Sequence, residues 1–176
     1  HGGDRVRETF GERNVDWVEQ AVQLGTGHAV QQAMRLLQGV GKVLVLYGDV
    51  PLIRHQTLQY LLDESADTPI GVLTAILNDP TGYGRMVRDP EGHILRVVEQ
   101  KDASEAEVEI EEINTGIMVF DRAKLADWLQ RIDNRNAQGE YYLTDVIGLA
   151  VDDGFEVATT QPEFEEEVQG INDRVQ

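Results

Sequence analysis

The stretch Tyr47-Gly48-Asp49-Val50-Pro51-Leu52 continues an apolar run, KVLVLY at residues 42–47, and ends it in a proline turn. An acid at the carboxyl end of a buried strand is well placed to hold a metal. Mg²⁺ takes one or two protein carboxylates and completes its octahedron with phosphates and water. Asp49 would serve equally as the cap of a turn. Five other segments carry candidate chemistry. In Gln23-Leu24-Gly25-Thr26-Gly27-His28-Ala29 the glycines open a helix, whose free N–H groups suit an anion or a base-edge carbonyl. The plainer role is a loop capped by Thr26 with His28 packed or capping. Asp79-Pro80-Thr81-Gly82-Tyr83-Gly84-Arg85 sets glycines on both sides of Tyr83, either to expose backbone donors to a ligand or simply to form a loop. Glu99, after Val97-Val98, either accepts from hydroxyl groups of a sugar or pairs with Lys101 or an arginine at the surface. Asn114, in Ile113-Asn114-Thr115-Gly116-Ile117, enters a buried strand and must satisfy its amide with backbone or with ligand. A short Gly170-Ile171-Asn172-Asp173 lies near the end of the chain.

Those residues need a scaffold, and the patterning supplies one. Residues 27–38 place Val30, Ala33, Met34 and Leu37 on one helical stripe, and residues 55–66 do the same with Leu58, Leu61 and Leu62. Helices are also expected over 122–132, capped by Asp121, and over 142–152, stopped by Gly154. Strands are expected at 42–47, 70–77, 113–120 and 155–160, with a hairpin of 85–88 and 94–100 around Pro90-Glu91-Gly92. The continuous apolar run at 42–47 reads as a buried parallel strand. Interleaved helices and strands predict an α/β fold with a mainly parallel, mixed sheet. Ligands then sit beyond the carboxyl ends of the strands, where Asp49 lies.

Composition narrows the function classes. The 176 residues suit one domain with a sizeable core. There is no cysteine, which excludes disulfides, thiolate metal sites and a cysteine nucleophile. Asp and Glu number 32 against 15 Lys and Arg, a net charge of −17, so nucleic acid and anionic membranes are poor partners. An anionic substrate must be held locally, by a metal or by backbone N–H groups. Only Lys42, Lys101 and Lys124 are lysines; such a balance belongs to salt-adapted proteins and to proteins kept acidic for solubility. No signal peptide or membrane-spanning run is visible, which fits a cytoplasmic protein, and the opening His1 points to a start further upstream.

Taken in order, LGTGHA, LYGDVPLI, DPTGYGR, VVEQKDA, EINTGIMVF, NAQGEYYLTD and VQGIND resemble the N-acetylglucosamine-1-phosphate uridyltransferase family, the uridyltransferase half of the bifunctional bacterial GlmU enzymes. The likeness runs essentially from residue 1 to residue 176. GYGR, EINTGI and NAQGEYYLTD make it specific within the wider sugar nucleotidyltransferases. The resemblance implies a Rossmann-like nucleotidyltransferase fold. It implies that UTP and N-acetylglucosamine-1-phosphate (GlcNAc-1-phosphate) become UDP-N-acetylglucosamine (UDP-GlcNAc) and pyrophosphate, for peptidoglycan and lipopolysaccharide precursors. By position, Gln20, Gly25 and Thr26 would contact uridine. Tyr47, Gly48 and Asp49 would line the nucleotide and metal region, with Asp49 and Asn172 as the protein ligands of Mg²⁺ and Asp49 the catalytic residue. Gly84, Glu99 and Asn114 would hold sugar and ribose, with Glu140, Tyr142 and Thr144 on the sugar-side wall. The sugar phosphate is itself the nucleophile, so no Ser, Cys or His nucleophile is needed, and none stands out.

Two parts of the family pattern have no counterpart in these residues. One is the opening strand with its glycine-rich, arginine-bearing phosphate loop and following lysine. The other is the C-terminal β-helix that carries acetyl transfer and the trimer contacts. We therefore expect little or no turnover from the chain alone, and assign it neither acetyl transfer nor the family homotrimer. Transfer to another sugar-1-phosphate and non-catalytic UDP-sugar binding are the competing readings.

Overall fold

A computed structural model describes residues 3–11 and 13–171. In chain order the elements are α1 (Gly3–Phe10), α2 (Thr26–Ala33), β1 (Lys42–Val45), α3 (His55–Glu64), β2 (Ile70–Ile76), β3 (Gly84–Arg88) and β4 (Ile94–Val98). They continue with α4 (Glu105–Val108), β5 (Glu112–Asp121), α5 (Arg122–Arg131), α6 (Asp145–Asp152), β6 (Ala158–Thr160) and a 3₁₀ turn (Glu165–Val168). The strands form one sheet in the order β4-β3-β5-β2-β6, with β1 also bonded to β5. No helix among the described residues is long and apolar enough to cross a membrane.

The sheet is mixed, but it is not mainly parallel. Only β2 and β6 run parallel; β1–β5, β2–β5, β3–β4 and β3–β5 are all antiparallel. The expectation fails for a physical reason. Helices cover both faces, so even antiparallel strands lose the apolar/polar alternation that marks a one-sided sheet. In β2, Ile70 and Val72 face one cluster while Leu73 and Ala75 face the other. In β5, Met118 and Phe120 join the first cluster, and Ile117 and Val119 the second. The first cluster is closed by α5 and α6 through Leu125, Trp128, Val146 and Ile147; α3 closes the second through Leu61, with Leu58 and Leu62 at its margin.

The run at 42–47 also departs from expectation. The strand stops at Val45, is antiparallel to β5, and has only Val43 buried. Leu46 is exposed, because β1 bonds only to β5 among the described strands. The helix expected from residue 142 starts at Asp145, so Tyr142, Leu143 and Thr144 belong to the loop before it. Helix α2 ends at Ala33, short of residue 38, and β6 is confined to three residues. The hairpin of β3 and β4 turns through Gly92, and the Asp121 carboxylate accepts from the N–H groups of Ala123 and Lys124, both at 2.9 Å, as capping requires.

The C-terminal turn is tied down by one buried acid. Glu167, 2 % exposed, accepts from Thr57 Oγ1 at 2.5 Å and from the Arg54 N–H at 3.2 Å. It thereby satisfies donors at the start of α3, which has no side-chain cap of its own. Three residues past this turn, the Ile171 N–H donates to the Asp49 carbonyl at 2.7 Å. Glu167→Ala leaves those donors unpaired, so it should lower stability by about 2 kcal/mol. Thermal unfolding should show this as a midpoint lower by roughly 4–8 °C; an unchanged midpoint would remove the anchoring role.

Candidate active site

The central strand β5 makes room for the site by giving up its ladder. On one edge it pairs with β3 at Asn114 and with β1 from Met118 onward. On the other, the β2 register jumps between Thr74↔Asn114 and Val72↔Met118. Residues 115–117 bulge, and their N–H groups must find other acceptors. Asn114 Oδ1 takes the Gly116 N–H at 3.1 Å, and Thr115 Oγ1 takes the Ile117 N–H at 3.2 Å while donating to the Leu73 carbonyl at 2.7 Å. Gly116 sits at φ 83°, where any Cβ would strike the Tyr47 ring. Tyr47 therefore packs its ring directly against the bulge.

A cleft of about 560 Å³ opens over this bulge. Asp49 and Tyr47 wall one end, just after β1. Gly84, Glu99 and Asn114 wall the other. Gly84 is required by close approach: a Cβ there would lie 2.8 Å from Val97 Cγ1 and 3.3 Å from Glu99 Oε2. Thr26, Glu140, Tyr142 and Thr144 complete the rim. Thr144 donates to Glu99 Oε1 at 2.7 Å, fixing the carboxylate. Asn114 commits its oxygen to the bulge, so its amide N–H₂ is what it can offer a ligand.

Two loops are laced together to build this rim. The Gly27 N–H donates to the Tyr141 carbonyl and the Tyr141 N–H to the Leu24 carbonyl, both at 2.8 Å. Thr26 Oγ1 accepts from the Leu143 N–H at 3.0 Å. A third loop is held by Arg85, 2 % exposed, which donates to the Tyr83 carbonyl and, at 2.9 Å, to Gln100 Oε1. The same Gln100 oxygen accepts from the Gly82 N–H at 3.1 Å. Thr81, Gly82 and Tyr83 thus reach the cleft, as does Gln138, whose amide donates to Tyr142 Oη at 2.9 Å.

Three residues expected at the site stand off from the cleft wall. Gln20 does not line it; its Nε2 donates to the Gly25 carbonyl at 3.0 Å and lies 2.9 Å from His28 Nδ1. Gly25 and Gly48 flank lining residues without lining the cleft themselves. Asn172 lies outside the described residues. Sequence reasoning missed Gln138 and Gly116 as parts of the wall. Gly116 left a signal, a glycine inside an otherwise apolar strand, which marks a bulge or a close approach.

The electrostatics are acidic throughout. No Lys, Arg or His lines the cleft among the described residues. Burial pushes the Glu99 carboxyl above its ordinary range; Thr144 opposes the shift and Asp102 adds to it. The Tyr47 phenol is raised by burial, then by Glu99 and Asp49. A neighbouring cleft of about 430 Å³ shares Glu99, Tyr142 and Thr144 and contains Asp145. Burial, with repulsion from Asp133, Glu99 and Asp102, lifts Asp145 to about 6. Among the described residues no three His, Cys, Asp or Glu side chains gather as a metal cluster. A single carboxylate such as Asp49 is within the one or two that Mg²⁺ takes from a protein.

The profile of the family described as "Nucleotidyl transferase" matches residues 5–165. The chain is 55% identical over all 176 residues to the bifunctional protein GlmU of Acinetobacter baumannii (strain AYE), covering 38% of that protein. It is 54% identical over its whole length to that of Burkholderia orbicola (strain AU 1054), covering 39%, and 56% identical to that of Pseudomonas putida (strain GB-1), covering 38%. The chain thus spans well under half the length of the curated relatives it matches.

Asp145 sets a direction for the pH dependence of stability. Its ordinary value is 3.8 and its folded value about 6. Below the first, both states are protonated and folding costs nothing extra. Between the two, the unfolded chain ionises first and the folded state loses stability; above the second the loss is complete. Relative to the parent, Asp145→Asn should gain about 1 kcal/mol between about pH 4 and pH 8, allowing for solvent screening at a partly exposed site. Thermal midpoints across that range check it, with roughly 2–4 °C expected; a constant gap between the two proteins contradicts it.

Proposed function

The chain belongs to the nucleotidyl transferase family, and on that premise we propose that it carries the sugar pocket and part of the nucleotide site of an N-acetylglucosamine-1-phosphate uridyltransferase. The observation that carries the reading is the two-ended cleft over the β5 bulge. Asp49 stands at one end, and Glu99, Gly84 and Asn114 at the other. A carboxylate fixed by Thr144 and a free amide N–H₂ form a donor and acceptor pair suited to a polyhydroxylated ring. Thr26, on the rim, leads back to Gly25 and Gln20, the uridine side of the proposed site.

In the reaction we propose for the whole protein, a phosphate oxygen of GlcNAc-1-phosphate bonds to the α-phosphorus of UTP. The bond from that phosphorus to the bridging oxygen breaks, and pyrophosphate leaves with the electron pair. The nucleophile arrives already charged, so the protein's task is positioning and charge neutralisation. Glu99 and Asn114 orient the sugar. Tyr47, packed against Gly116, walls the cleft beside Asp49. Asp49 would hold Mg²⁺ together with Asn172. When bound, the ion supplies the positive charge that the cleft walls lack and draws the phosphates into line.

The test is protein-detected NMR of the chain titrated with UDP-GlcNAc, with and without Mg²⁺, and with UDP-glucose as control. Shifts should cluster at Gly84, Glu99 and Asn114 and be stronger for the N-acetyl sugar. Glu99→Gln should weaken UDP-GlcNAc binding about tenfold, the loss expected of one charged hydrogen-bond acceptor. It should leave UDP binding nearly unchanged. A folded chain in which those three residues do not respond removes the sugar pocket from this chain.

A further inference from the structure

The loop of residues 134–140 places Gln138 and Glu140 on the cleft wall and is stiff within itself. Asn136 Oδ1 accepts from the Gln138 and Glu140 N–H groups at 3.2 and 3.1 Å, its Nδ2 donates to the Glu140 carbonyl at 2.6 Å, and Gly139 turns the chain at φ 67°. Among the described residues, two hydrogen bonds tie this loop to a distant segment, and both go to the stretch just after β4. The Ala137 N–H donates to Asp102 Oδ1 at 2.8 Å, and Lys101 Nζ donates to Gln138 Oε1 at 2.7 Å. A lysine only donates, so it fixes the oxygen end of the Gln138 amide; the nitrogen end then donates to Tyr142 Oη at 2.9 Å. Tyr142 has one hydroxyl hydrogen, and Asp102 Oδ2, at 3.3 Å, accepts it in the longest link of the set. Donation therefore runs from Lys101 through Gln138 and Tyr142 to Asp102, whose two oxygens hold the loop's tip and the ring beside it.

We propose that Asp102 is the positioning residue that seats this loop against the Glu99 side of the cleft, so that Gln138 and Tyr142 meet a sugar ring there in one orientation. The inference rests on the proposed placement of the sugar beside Glu99. Asp102 does not line that cleft, and its effect passes through Ala137 and Tyr142. The chain just after the loop is held separately: Tyr141 is bonded to Leu24 and Gly27, and the Leu143 N–H to Thr26, all on the proposed uridine side. Cutting the Asp102 bonds therefore frees the sugar wall and leaves the uridine side in place. A loop stiff within itself moves as a unit once its tie is cut, so the contacts of Gln138 and Tyr142 with a sugar weaken together.

The experiment compares the 176-residue chain with its Asp102→Ala and Asp102→Asn variants, and with Glu99→Gln as reference. Asp102 is exposed, so its loss should leave the thermal midpoint close to the parent's. Amide exchange read by NMR should find the Ala137 N–H protected in the parent and fast in Asp102→Ala. The affinity for UDP-GlcNAc relative to UDP should fall about fivefold in Asp102→Ala, the value of one hydrogen bond. Asp102→Asn keeps an acceptor for the Ala137 N–H and should hold most of the parent's ratio; a loss as large as in Asp102→Ala overturns the inference. A merely structural role would weaken UDP and UDP-GlcNAc equally. An Ala137 N–H that exchanges freely in the parent, or a ratio that stays put in Asp102→Ala while Glu99→Gln shows its loss, overturns the inference alone. A ratio that Glu99→Gln also leaves unmoved removes the sugar pocket, and the inference with it.

Discussion

The bulge in β5 is the constraint on which the rest of the molecule turns. A central strand buried on both faces has nowhere to send its backbone N–H groups except its neighbours. Over residues 115–117 those neighbours fall away, and the strand's own Asn114 and Thr115 take their place. That substitution lets β1 and β3 share one edge of β5 with a gap between them. The cleft is this gap. Tyr47 can lie across it only because Gly116 has no side chain, and the loops around it converge there because β1, β3 and β5 all end or bend at the same place.

Charge sharpens the picture. The protein carries a net charge of −17, and no basic side chain lines the cleft among the described residues. Burial lifts Glu99 and Asp145 above their ordinary range, with repulsion from Asp102 adding to both and repulsion from Asp133 and Glu99 adding to Asp145.

The chain's order of elements was largely legible because helices and strands in it are long enough to show their period. Leu125, Trp128 and Leu129 mark α5, and the Asp121 cap marks its start. Strand direction was not legible. Ile70–Ile76 is apolar on both faces whether its neighbours run with it or against it, so burial imitates parallel pairing. The motif residues Asp49, Gly84, Glu99 and Asn114 do line one cleft, which the sequence could only order along the chain. What escaped was the loop form of residues 142–144, whose apolar period ran into the helix that follows; Tyr142 and Thr144, which the resemblance put on the sugar-side wall, line the cleft from that loop. Gln138 escaped too, because a polar loop residue carries no periodic mark. The contact between Gln20 and His28 lies beyond any pattern, since Gln20 sits in the irregular chain before α2 and His28 within that helix.

The way β1 is paired has a consequence for synthesis. Among the described strands, β1 bonds to β5 alone, and the two lie some seventy residues apart in sequence. During translation from the amino end, the hairpin of β3 and β4 can close as soon as its turn is made. The apolar residues of β1 cannot: they leave the ribosome long before their only ladder partner exists. The nascent chain therefore carries β1 unpaired until residue 121 is free, and the sheet gains β6 beside β2 only after residue 160.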